Sequence, residues 1–92
     1  MESDPTITLV DVRFPMEYRG GHIKGALLAP FTEVRSSAVA YLPRDTEIVV
    51  YCTTGARGTY ACNILHKMGF KKVLNMTGGI ESWRRQGFLV EK

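Results

Sequence analysis

Ile48-Val49-Val50-Tyr51-Cys52-Thr53-Thr54-Gly55-Ala56-Arg57-Gly58-Thr59 runs from an apolar segment into one cysteine and a small polar loop. Ile48 to Tyr51 is β-branched and aromatic throughout, which suits a central strand of a parallel sheet covered on both faces. Beyond Gly58, residues Tyr60, Ala61, Ile64, Leu65 and Met68 recur at helical spacing, so the loop joins a strand's carboxyl end to a helix's amino end. Such a junction suits an anion, because the first helical turn leaves backbone N–H groups unpaired and carries partial positive charge. Gly55 and Gly58 can take positive φ, letting successive amides converge on one point. The same field, with the full charge of Arg57 nearby, favours the thiolate form of Cys52 and makes it the candidate nucleophile. A cysteine closing a core strand can also be only a small hydrophobe. The glycine-punctuated loop, the arginine and the helix start favour chemistry, since burial requires none of them.

Working outward, 92 residues make one domain with one modest core, spanning 1–92. The net charge of +3 is mild and its basic residues are scattered without interleaved aromatics, so nucleic-acid binding is not indicated, while a small anionic substrate is compatible. Two cysteines, Cys52 and Cys62, do not make a disulfide framework, and both are expected to be reduced. No stretch reaches membrane-spanning length, so no membrane association is expected. Met1 to Thr6 is polar and acidic where a secretory signal is basic and then apolar, which predicts a cytoplasmic chain, or a periplasmic one if a leader has been removed.

Ile7 to Val12 reads as the first strand, ending in Asp11-Val12-Arg13. Pro15 starts a short helix through Glu17 and Tyr18, ended by Gly20-Gly21, and Ala26 to Ala29 is a short second strand closed by Pro30. Thr32 is the expected N-cap of a helix bearing Val34, Ala38 and Tyr41. Glu47 to Tyr51 is the third strand, and Lys72 to Asn75 the fourth. Gly69-Phe70 caps the helix between them, and Gly78-Gly79 opens a last helix with Ile80 and Trp83 inside, which stops at Gly87. Strands separated by helices predict an α/β fold, a central parallel sheet of four to five strands with helices on both faces. Ligands of such sheets bind beyond the strands' carboxyl ends, which puts Asp11 to Arg13, Cys52 to Gly58 and Thr77 to Gly79 on one edge.

Asp11-Val12-Arg13, Glu17-Tyr18 and Gly21-His22-Ile23 with Gly25-Ala26 resemble the amino-terminal signature of the single-domain rhodaneses, which are sulfurtransferases. Gly69-Phe70, Val73-Leu74, Gly78-Gly79-Ile80 and Trp83 resemble its carboxyl-terminal signature, and Cys52 to Arg57 is similar to the family's six-residue active-site loop. The match runs from Ile7 to Gly87 in family order and spacing, which makes it specific although no single piece is. The resemblance implies a rhodanese-like fold and ping-pong chemistry of the thiosulfate:cyanide sulfurtransferase type. Cys52 would be nucleophile and persulfide carrier, with Thr53, Thr54, Gly55, Ala56, Arg57 and Gly58 as substrate-binding cradle. Arg57 would bind the donor anion or pin the loop. No metal or organic cofactor is implied. The partners would be a small anionic sulfur donor and a thiol or cyanide acceptor, with a protein acceptor as a further candidate.

Two departures bear on this. The loop is less charged than in several relatives, which points away from thiosulfate toward a persulfide or protein donor. Only six residues precede Ile7, where the family usually has another strand and helix. Two alternatives stand beside sulfur transfer: a non-catalytic rhodanese-like module that binds a partner protein, and a phosphatase or arsenate reductase on the same fold. The first usually lacks the loop cysteine. The second uses a loop one residue longer, whereas here arginine follows five places after cysteine.

Of the remaining polar residues, Asp11, Arg13 and Glu17 read as a salt-bridged scaffold tying the first strand to its loop. His22 reads as a hydrogen-bonding framework residue and His66 as solvated. Cys62 reads as a small buried thiol ahead of a resolving cysteine, and Phe70 and Trp83 as core.

Overall fold

The computed structural model describes residues 7–53, 55–76, 78–87 and 90. In chain order these form β1 (Ile7–Asp11), α1 (Pro15–Arg19), β2 (Leu27–Leu28), two 3-10 turns (Val34–Ser36 and Ala38–Tyr41), β3 (Glu47–Tyr51), α2 (Ala56–Lys67), β4 (Lys72–Asn75) and α3 (Gly79–Arg85). The four strands lie in the order β2-β1-β3-β4, every pairing parallel. Central β3 lies against β1 with Val10 opposite Val50, and against β4 with Ile48 opposite Val73.

Period-two alternation along these strands builds two separate apolar layers. Val10, Val12, Ile48, Val50, Cys52 and Val73 pack with Ala61, Cys62 and Leu65 of α2 and with Val34 and Val39 of the 3-10 turns. Leu9 and Tyr51 face the other way, onto Ile23 and onto Ile80 of α3, with Tyr18 and Trp83 at the margin. The sheet is therefore covered on both faces, as the apolar run at Ile48–Tyr51 predicts.

Helix α2 ends in a Schellman cap, as Gly69-Phe70 suggests. Phe70 N–H donates to the Leu65 carbonyl at 3.1 Å and Gly69 N–H to that of His66 at 3.0 Å. The expected helix after Thr32 is absent; two 3-10 turns stand there, with Glu33 and Ser37 as their respective N-caps. The Ser36 and Ser37 hydroxyls donate back to the Glu33 and Val34 carbonyls, and Ser37 is extended (φ −83°, ψ 171°), so local side-chain bonds displace the α-helical ladder. Val34 and Val39 are the buried anchors, whereas Ala38 and Tyr41 face solvent.

Asp11 and Arg13 form a buried ion pair (Nη2 to Oδ2, 2.7 Å), and Arg13 also donates to the Gly21 carbonyl at 2.6 Å. This ties the end of β1 to the exit of α1. Burial alone would disfavour the Arg13 charge; the Asp11 carboxylate outweighs it and raises the guanidinium pKa. Glu17 is not part of this group, contrary to expectation, and belongs to the site described next. His22 is buried, stacked on Tyr18 at 3.7 Å, with Nδ1 3.0 Å from the Tyr18 carbonyl, a framework position. His66 is exposed, its Nδ1 lying 3.2 Å from the Phe70 carbonyl.

Candidate active site

Cys52 follows the last residue of β3, and the parallel sheet puts it at the strands' carboxyl edge. Cys52 is 1% exposed, yet it is not enclosed by hydrocarbon alone: the Gly55 N–H points at Sγ over 2.9 Å. Gly55 caps α2 at φ 119°, a conformation that a side chain would strain, and this turns its amide back toward the sulfur. The α2 ladder begins with Thr59 N–H to the Gly55 carbonyl, so the amides of Ala56, Arg57 and Gly58 precede it, at the positive end of the helix.

A second helix shapes the loop from behind. Ile80 N–H donates to the Cys52 carbonyl at 2.8 Å and Glu81 N–H to that of Thr53 at 3.2 Å. Because a trans peptide points its N–H opposite to its C=O, tying the Cys52 carbonyl to α3 turns the Thr53 N–H away from that helix. Gly79 makes the approach possible: a Cβ there would run into the Cys52 and Thr53 carbonyls.

The predicted residues take distinct places. Arg57 Nη1 and Nη2 meet Glu17 Oε1 at 2.6 Å and Oε2 at 2.9 Å, and Nη2 also donates to Thr53 Oγ1 at 2.9 Å. The Thr53 hydroxyl in turn donates to Glu17 Oε2 at 3.2 Å. These bonds tie Thr53 of the loop to Glu17 of α1 and to Arg57 of α2. The Arg57 hydrogen bonds, set against partial burial, hold the Glu17 carboxyl down at about 2. Glu17 in turn raises the Arg57 pKa, helped by the neighbouring Cys52 sulfur. Ala56 is exposed at the start of α2; Gly58, contrary to expectation, does not take positive φ but lies within the helix, where a Cβ would meet the Asn75 side chain. Thr54 and Thr77 lie outside the described residues.

Two participants escape a reading of the sequence. Glu17 sits at the third position of α1, where its Oε1 also accepts the Phe14 N–H at 3.1 Å; a charged residue one turn into a helix is ordinary, and nothing local reveals a partner 40 residues on. Asn75, at the end of β4, donates from Nδ2 to the Gly55 carbonyl at 3.0 Å and to Thr59 Oγ1 at 3.1 Å. A polar residue closing the strand after Val73 and Leu74 is the only signal available for it. Cys62 is a free thiol packed in the core layer of α2, and burial pushes its pKa up.

The family model for the rhodanese-like domain matches residues 1–86. A sulfurtransferase of Allochromatium vinosum is 41% identical over 83 residues, which cover 88% of this chain and 75% of that protein. A Bacillus subtilis protein provisionally named as a sulfur carrier is 36% identical over 83 residues, 90% of this chain but only 44% of its own length. Among solved structures, the rhodanese-like domain of an Anabaena protein superposes with a TM-score of 0.88 at 31% identity, covering 97% of this chain and 90% of that one.

Proposed function

The chain belongs to the rhodanese-like domain family, and on that premise we propose that it moves sulfane sulfur through a persulfide on Cys52. The observation that carries the reading is the Gly55 amide aimed at Cys52 Sγ over 2.9 Å, at the positive end of α2. An amide donor and a helix terminus stabilise a negative sulfur better than a neutral one, which suits the anionic persulfide that sulfur transfer through Cys52 forms.

In the first half-reaction the Cys52 thiolate attacks the outer sulfur of the donor. With thiosulfate, a new S–S bond forms to Cys52, the donor's S–S bond breaks, and its electron pair leaves on sulfite. In the second, cyanide or a thiolate attacks the terminal sulfur of the persulfide, the Cys52 S–S bond breaks, and the Cys52 thiolate is regenerated. Thiolate and persulfide each carry one negative charge on sulfur, at the residue whose Sγ the Gly55 N–H faces. Donors include thiosulfate-type anions and persulfides; acceptors are thiophilic, small or carried on a protein. The test is thiocyanate formation from thiosulfate and cyanide by the wild type and by Cys52→Ser. Turnover by the wild type alone supports the reading; equal thiocyanate from both removes Cys52 from the chemistry, and phosphate release from an aryl phosphate would replace sulfur transfer with hydrolysis on the same loop.

A further inference from the structure

Glu17 occupies the cation that a donor anion would be expected to use. Both terminal nitrogens of Arg57 are taken by the two Glu17 oxygens, and one of them is shared with Thr53 Oγ1. The pair is only partly open, with side-chain exposures of 25% for Arg57 and 34% for Glu17. Glu17 is itself fixed, since it also accepts from the Phe14 amide and the Thr53 hydroxyl. The loop beside Cys52 thus presents a neutralised arginine with a carboxylate next to it, and its attraction for anions is left to uncharged amides.

We propose that Glu17 sets the donor preference of the Cys52 site, withholding Arg57 from the donor so that donors of low charge are favoured over the thiosulfate dianion. This rests on sulfur transfer through Cys52. Coulomb interaction scales with donor charge, so one carboxylate acts twice as strongly on a dianion as on a monoanion. The step compared is the same in both cases: Cys52 thiolate takes the outer sulfur, and sulfite departs from thiosulfate or an aromatic sulfinate from an aromatic thiosulfonate, each with the electron pair of the broken S–S bond.

The experiment measures single-turnover sulfur loading of the full chain by thiosulfate and by benzenethiosulfonate, for wild type, Glu17→Gln, Glu17→Ala and Glu17→Asp. The quantity read is the ratio of the two loading rates, in which any general loosening of the loop cancels. Removing the charge in Glu17→Gln is expected to raise loading about tenfold with thiosulfate and about threefold with the monoanion, the square root that halved charge implies. Glu17→Ala should move the ratio the same way even if both rates fall, and Glu17→Asp, which keeps the charge, should hold the wild-type ratio whatever its absolute rates. An unchanged ratio in the Gln and Ala variants overturns the proposal and leaves sulfur transfer standing, with Glu17 reduced to a brace. A wild type that loads from neither donor overturns the underlying sulfur-transfer reading instead.

Discussion

The Asn75 side-chain amide donates to the Gly55 carbonyl at 3.0 Å, linking the end of β4 to the residue whose own N–H faces the Cys52 sulfur. A strand two places from β1 thereby helps to fix the turn beside the nucleophile. Its Oδ1 is buried without a hydrogen-bond partner against Gly58, where any Cβ would strike it. Asn75→Ala is expected to cost about 1 kcal/mol of stability, the scale of one net hydrogen bond. It should also slow sulfur loading about tenfold, equivalent to ~1.4 kcal/mol at the transition state. Chemical denaturation and single-turnover loading check the two parts; loading at the wild-type rate would remove Asn75 from the site.

Gly79 is where α3 meets the Cys52 loop. At φ 57° a side chain is strained, and its Cβ would overlap the Cys52 and Thr53 carbonyls, which are backbone and cannot rotate aside. Gly79→Ala should therefore destabilise the fold by at least about 2 kcal/mol, the left-handed penalty plus the displaced contact. The Ile80 and Glu81 amides should lose hydrogen-exchange protection, since they bond those carbonyls. Wild-type stability in the variant would show that α3 does not clamp the loop.

Tyr51 is fully buried, and its hydroxyl accepts the Ile23 N–H at 3.0 Å. Burial is the main reason its own ionisation is pushed far up, with the Asp11 carboxylate adding to the effect. Tyr51→Phe keeps the ring and strands the Ile23 amide, so a loss of about 1–3 kcal/mol is expected from denaturation curves. A neutral substitution would mean that the amide finds another acceptor.

The Glu17 carboxyl lies at about 2 in the folded chain, against an ordinary value of 4.5. A lowered folded value contributes stability that is complete above 4.5 and fades as pH falls toward 2, because the unfolded chain takes up its proton first. The stability difference between wild type and Glu17→Gln should be flat at neutral pH and shrink through that acidic window. A difference that stays constant down to pH 2 would show that Glu17 is not held by Arg57.

Much of this was legible from local pattern. The run Ile48–Tyr51 and the helical spacing after Gly58 give β3, α2 and the junction between them, because burial on both sheet faces and on one helix face leaves a direct mark on residue order. The 3-10 turns were not legible, since the apolar positions of this segment fit a helix and only the serine back-bonds decide otherwise. Within the site, Cys52 and the Gly55 turn announce themselves through residue type. The Glu17–Arg57 and Asn75–Gly55 links do not, because each joins residues at least 20 positions apart through side chains with many surface equivalents.

The central claim is tested most directly by the intact mass of the protein after incubation with thiosulfate and removal of excess donor. The account predicts a gain of one sulfur atom in the wild type, its loss on adding cyanide, the same gain in Cys62→Ala, and none in Cys52→Ser. No gain in the wild type with thiosulfate, thiosulfonate or a persulfide donor, or a gain that survives in Cys52→Ser, would contradict it.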